Sequence, residues 1–185
     1  MGRPDVRVRT ATAADAAAFA AIYAHYVLHT PISFEEVAPN ADEMARRVTA
    51  VLAYAPWLTA LVDDTIVGYA YASRHAERAG YRWAIDVSVY IDERFHRRGI
   101  GRTLYSTLLP IVERLNYRRA YAGVTLPNEG SVALHRVFGF ELVGTYKRVG
   151  WKQGKWYDVG WYGRDIGAYP NGDAKPDEPI LFSSL

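Results

Sequence analysis

Apolar positions change their period several times along the chain, and each change marks an element. Val6-Arg7-Val8-Arg9 alternates as a half-buried strand does. Thr12 and Asp15 stand at the spacing of an acidic capping box, and Phe19, Ile22, Tyr23, Tyr26 and Val27 then form one helical face. His29-Thr30-Pro31 closes that helix, because proline disfavours a helical residue before it. Asn40 with Glu43 opens a second helix, continued by the stripe Met44, Val48, Val51 and Leu52. Trp57 to Val62 and Thr65 to Ala72 flank Asp63-Asp64 as two strands of a tight hairpin. A polar, aromatic loop over 73–82 leads to a strand from Trp83 to Ile91. Gly99 and Gly101 then open a helix with Ile100, Leu104, Leu108, Ile111, Val112 and Leu115 on one side. Pro110 is expected to kink that helix or end its regular part. A buried strand over Arg119 to Val124, a short helix over Ser131 to Phe138 closed by Gly139, and two strands between Phe140 and Ile166 complete the series.

Strand, two helices, three strands, helix, strand, helix and two strands describe an α/β (α+β) layer fold with a largely antiparallel sheet. One domain over 1–167 accounts for the pattern. Residues 168–185, with three prolines and several charges, read as a surface tail.

Composition narrows the function. Half of the 185 residues are hydrophobic and 14% are aromatic, enough for a sizeable core. A formal net charge of only +2 argues against a nucleic-acid coat or a membrane surface, each of which needs a concentrated basic face. There is no cysteine, so disulfides, thiolate metal sites and a cysteine acyl-enzyme are all excluded. Without a signal-like start or a long apolar run, the expected location is the cytoplasm.

The densest chemical signal is the strand Val87-Ser88-Val89-Tyr90-Ile91 running through a short acidic turn into His96-Arg97-Arg98-Gly99-Ile100-Gly101-Arg102-Thr103-Leu104. A glycine-bearing loop at a helix start presents unpaired N–H groups and the positive end of the helix dipole, and the arginines add charge. A pyrophosphate is the expected guest. A Walker loop is excluded by the missing Gly-Lys-Ser/Thr triplet, and a Rossmann fingerprint by Leu104 at its third glycine.

This loop resembles the pyrophosphate loop of the GNAT superfamily of N-acetyltransferases. Leu126-Pro127-Asn128-Glu129-Gly130-Ser131-Val132-Ala133-Leu134-His135 with Phe138-Gly139-Phe140 resembles that superfamily's second signature. The segments YRWAIDVSVY, LPNEGSVALH and KQGKWYDVGW are similar to its phosphinothricin acetyltransferase branch. The resemblance implies a GNAT fold, with a mixed sheet splayed between the fourth and fifth strands. It implies acetyl-CoA as co-substrate, no metal, direct transfer to a small amino-acid-like amine of the phosphinothricin or methionine sulfoximine type, and a homodimer. Acetyl-CoA would contact Val89, Tyr90, Ile91, Arg97, Arg98, Gly99, Ile100, Gly101, Arg102, Thr103, Asn128 and Ser131. Asp86 would be the general base, where the branch commonly carries glutamate, and His135 the acid or proton relay. Phe34, Arg78 and Tyr81 would hold the acceptor, with Arg78 suited to a carboxylate or phosphinate. Two positions depart from the pattern: His96 replaces the usual glutamine or arginine, and Ala76 stands where herbicide-detoxifying relatives often carry lysine. Exposed Trp151, Trp156 and Trp161 are candidate dimer anchors. A protein or peptide N-terminus as acceptor, and a CoA-binding sensor without catalysis, remain alternatives.

Overall fold

The computed structural model describes residues 5–169 and 174–184. Its elements are β1 (Arg7–Thr10), α1 (Ala16–His29), α2 (Ala41–Leu52), β2 (Trp57–Val62), β3 (Thr65–Arg74), β4 (Ala84–Ile91), α3 (Ile100–Arg114), β5 (Arg119–Leu126), α4 (Glu129–Val137), β6 (Glu141–Lys152) and β7 (Lys155–Asp165). The sheet order is β1-β2-β3-β4-β5-β7-β6. Every neighbouring pair is antiparallel except β4–β5, which is parallel.

Local chemistry explains most boundaries. Asn40 accepts a hydrogen bond from the Glu43 N–H at the start of α2. Asp63 and Asp64 both take left-handed φ values, 47° and 60°, as a two-residue hairpin turn between right-twisted strands requires. The Asp15 carboxylate accepts from the Thr12 N–H, from Arg9 and from Thr59, which joins the α1 entry to β1 and β2. Arg9 and Thr12 hold its acid below the usual carboxylate range, against the opposing effect of burial. Two expectations need correction. The third helix runs through Pro110 to Arg114, so Pro110 does not end it; its ring lies on the exposed face, while Leu108, Leu109 and Val112 are buried. The fourth helix begins at Glu129 instead of Ser131, because Asn128 caps it by accepting from the Ser131 N–H.

Two cores lie on opposite faces of the sheet. One packs Ile100, Leu104, Tyr105, Leu108 and Val112 of α3 against Ile85, Val87, Ala120, Ala122 and Val124. The other packs α1 and α2 on the opposite face, around Phe19, Tyr23, Tyr26, Trp57 and Tyr69. Beyond the last strand, the Asp177 and Glu178 carbonyls accept hydrogen bonds from Trp83 and Asn116. The Ile180 and Phe182 N–H groups bond the Leu115 and Tyr54 carbonyls.

Candidate active site

The parallel pair β4–β5 holds for only three rungs: Ala84–Arg119, Ile85–Ala120 and Asp86–Tyr121. Beyond Asp86 the strands part. β4 keeps its antiparallel partner β3 as far as Ile91, and β5 keeps β7 as far as Leu126, so each wall stays rigid while the gap opens. The cleft is lined by Val87 to Tyr90, Ala122 to Thr125, and Asn128, Ser131, Tyr105 and His135.

The loop before α3 stands just past the outer end of β4. Gly99 is the N-cap with φ 87°, a left-handed conformation that favours glycine. Arg97, Arg98 and Arg102 are exposed around it, and the first N–H groups of α3 lack intrahelical partners. Gly101 also has a packing role. A Cβ there would stand 3.0 Å from Leu134 Cδ2 and 3.2 Å from Ile91 Cδ1, so its missing side chain lets α3 close on β4 and α4. Tyr90 and Ile91 also turn their side chains elsewhere. Tyr90 packs its ring on Tyr23 and Tyr26, at 4.8 and 5.1 Å between centroids, and Ile91 packs on Gly101. The Ile91 main chain is also engaged: its N–H donates to the Tyr26 hydroxyl, and its carbonyl accepts from that hydroxyl. His96 is exposed, its Nε2 lying 2.9 Å from the Tyr26 hydroxyl and 3.0 Å from the Ile91 carbonyl.

His135, on α4, is buried and uses both ring nitrogens. Nδ1 is 2.7 Å from the Ser131 carbonyl and Nε2 is 3.1 Å from the Tyr105 hydroxyl. Burial lowers its pKa, against the Ser131 carbonyl.

Asp86 stands at the closed end of the cleft, on the sheet face that carries α1 and α2. Its carboxylate meets His75, with Nδ1 2.7 Å from Oδ1. Burial raises its pKa, and His75 opposes that rise. The His75 ring stacks on Tyr121 at 4.5 Å and meets Trp161 edge-on at 5.8 Å and Tyr81 at 6.3 Å. Sequence reasoning missed His75, which lies one residue past β3. The strand was read as ending at Ala72, but it reaches Arg74, and the register Ser73–Asp86 sets residue 75 diagonally across from the carboxylate. Trp161 is not the exposed anchor that the sequence suggested. Its ring covers Gly123 and its indole N–H is buried, whereas Trp151 and Trp156 are exposed.

The acceptor residues come from two loops. Arg78 and Tyr81 are exposed on a 3-10 turn, and Tyr81 reaches the His75–Asp86 pair through His75. Phe34 lies over Gly150 of β6, where no side chain fits. Lys152, a second residue that sequence reading missed, ties this loop down: its ammonium donates to the Val27, Ser33 and Glu35 carbonyls. Glu35, Tyr23, Tyr71 and Ser73 line a cavity of about 320 Å³ between α2 and β3. Ser73 pairs in register with Asp86, so that cavity abuts the closed end of the cleft.

Residues 8–161 match the acetyltransferase (GNAT) domain. The chain is 36% identical to the phosphinothricin N-acetyltransferase of Streptomyces viridochromogenes, over 89% of this chain and 90% of that protein. It is 31% identical to the L-methionine sulfoximine/L-methionine sulfone acetyltransferase of Salmonella typhimurium, over 82% and 90%. The crystal structure of a GNAT superfamily phosphinothricin acetyltransferase from Sinorhizobium meliloti, in complex with acetyl-CoA, superposes with a TM-score of 0.88 at 34% identity, covering 96% of this chain and 98% of that one. By this domain match and these relatives, the chain belongs to the GNAT acetyltransferase family as an N-acetyltransferase.

Proposed function

We propose that the chain transfers the acetyl group of acetyl-CoA to the primary amine of a small amino-acid-like acceptor, within a ternary complex. The observation that carries this reading is the cleft itself: β4 and β5 part immediately after Asp86, leaving two backbone edges free between a carboxylate and the start of α3. The chain's residues suit the cofactor. The Gly99–Thr103 backbone with Arg97, Arg98 and Arg102 would hold a pyrophosphate, Val89 would pair with a pantetheine amide through the main chain, and Asn128 and Ser131 would flank the thioester. Bound acetyl-CoA supplies an activated thioester carbonyl.

The acceptor enters from the face bearing α1 and α2, where Phe34, Arg78 and Tyr81 surround it and Arg78 pairs with its acidic group. Asp86 drives removal of the amine's proton, since only the neutral amine attacks. His135, with both nitrogens already bonded, is assigned to holding the α4 wall and not to proton transfer. Phosphinothricin and methionine sulfoximine, on which the relatives are named, are the first acceptors to try. The enzyme is taken to be a cytoplasmic homodimer, with exposed Leu142, Val143, Trp151 and Trp156 of the β6–β7 hairpin as its contact.

The test is thiol release from acetyl-CoA across amino acids, amino-acid analogues and short peptides. Turnover with small acidic amines and none with peptides is the expected result. A preference for peptide N-termini would overturn the acceptor assignment, and no release with any amine would overturn transfer itself.

A further inference from the structure

We propose that His75, a residue with no assigned role, is the group that takes the proton from the acceptor amine, and that Asp86 acts through it. This rests on the acetyl-transfer reading above and names its proton acceptor.

Four observations converge. The imidazole and the carboxylate are in direct contact, Nδ1 to Oδ1 at 2.7 Å, with about a quarter of each side chain exposed. The ring is held by aromatic neighbours: parallel to Tyr121 within 23°, perpendicular to Trp161 at 90°, and beside Tyr81. Nε2 has no hydrogen-bond partner among the described residues, in contrast with His135, whose two nitrogens are both bonded. Asp86–Tyr121 is also the last rung before β4 and β5 part, so the pair stands at the apex of the cleft.

Chemistry gives this arrangement a direction. An aspartate on one ring nitrogen fixes the tautomer with a proton on Nδ1, leaves a lone pair on Nε2, and stabilises the imidazolium that forms. Burial raises the Asp86 pKa above the ordinary carboxylate range and contact with His75 opposes that rise, while the ordinary range of an imidazole is matched to neutral solution. The charged or titratable groups around the ring are Asp86 from β4, Tyr81 from the preceding turn, and Tyr121 from β5, with Arg119 5.4 Å above the Tyr121 ring. Only Asp86 compensates an imidazolium directly.

The step balances as follows. The acceptor's ammonium gives one proton to Nε2, and the imidazolium so formed is paired with Asp86. The neutral nitrogen attacks the thioester carbon, forming C–N while the carbonyl electrons move to oxygen. As the carbonyl re-forms, C–S breaks, and one of the two protons on nitrogen passes to sulfur to give the free thiol, the other remaining on the amide. His75 then releases its proton to water, one per turnover.

The test uses the full chain and three variants. His75→Phe keeps the stack on Tyr121 without a base, His75→Gln keeps a hydrogen bond to Asp86 without a base, and the third is the double variant His75→Phe with Asp86→Asn. Both single variants should lose about 100- to 10,000-fold in kcat. Their acetyl-CoA affinity by calorimetry should be unchanged. The acid-side fall of kcat/KM expected of the wild type should vanish, and added imidazole should restore part of the rate in His75→Gln. Removing Asp86 as well should cost little more, because the two groups act as a unit. Retention of kcat within about threefold in either single variant overturns the proposal, since base loss costs far more. Full additivity in the double variant, with the acid limb intact in both single variants, returns the base role to Asp86 alone. No thiol release by the wild type overturns acetyl transfer, an outcome distinct from wild-type activity that survives the His75 changes.

Discussion

The two ends of the cleft each carry a histidine, and they are built in opposite ways. On the α4 wall His135 is buried among Tyr105, Phe140 and Tyr162, and its two nitrogens are bonded to Ser131 and Tyr105. At the apex His75 is partly exposed, with one nitrogen on a carboxylate and the other open. Burial lowers the pKa of the first, which keeps it neutral and fixed. The second has a counter-ion in place for the charge it would acquire. A histidine's usefulness therefore depends on unspent hydrogen-bonding capacity and a partner for its charged form, not on being near the substrate.

Replacing one residue from each end gives the sharpest contrast. Asp86→Asn keeps size and hydrogen bonding but removes the charge that supports proton transfer, and turnover should fall about 100- to 10,000-fold. His135→Phe removes two hydrogen bonds beneath the α4 wall, to the Ser131 carbonyl and the Tyr105 hydroxyl, and should cost less in turnover than Asp86→Asn, since each such bond is worth only ~1 kcal/mol net. Saturating acetyl-CoA and a pH series from acid to alkaline separate the two effects. Equal losses in both variants would erase the distinction and give His135 a share in the chemistry.

Arg78 tests the outer side of the apex. If it pairs with an acidic group on the acceptor, Arg78→Ala forfeits a charge-assisted bond of about 1.5–3 kcal/mol, a rise of more than tenfold in the acceptor's KM. Acetyl-CoA binding should not change, since Arg78 lies on the 3-10 turn before β4 and not at the α3 start. A substrate lacking the acidic group should show no difference between the two proteins, and a loss there as large as with the acid would remove the clamp.

The sequence made the elements legible because period, caps and turn residues are local signals. Asn40, Asn128, Gly139 and Asp63-Asp64 each act within a few residues of themselves. The site was legible where it is one continuous segment, as from Val87 to Thr103. Contacts set by register were not. His75 and Asp86 are eleven residues apart and meet only because β3 and β4 pair antiparallel with Ser73 opposite Asp86. Lys152 meets carbonyls more than one hundred residues earlier in the chain. The packing of Gly101 on Leu134 and Ile91 was not legible either, because close backbone approach to a ligand and close helix packing call for the same residue.

The smallest expected effect is one of stability, and it probes the α4 wall with no substrate present. Burial lowers the pKa of His135 in the folded chain, while an unfolded histidine titrates near 6.5. Above about pH 6.5 neither state binds this proton, and His135 adds no pH dependence. As the pH falls below that value, the unfolded chain takes up a proton that the folded chain resists, so stability must fall with pH until the folded pKa is reached. One such proton is worth at most ~1.4 kcal/mol per pH unit. His135→Gln retains a polar partner for Tyr105 but cannot titrate, so its urea midpoints at pH 7, 6 and 5 should decline less steeply than those of the wild type. Asp86 works in the opposite sense, since burial raises its pKa and the folded chain gains from its protonation; its contribution cancels in the difference between the two proteins. Parallel curves would mean that His135 takes up its proton equally well in the fold, and an imidazole able to do that on the cleft wall would regain its claim as the acid for the departing thiolate. A steeper wild-type curve would leave that wall neutral and confine proton traffic to the apex.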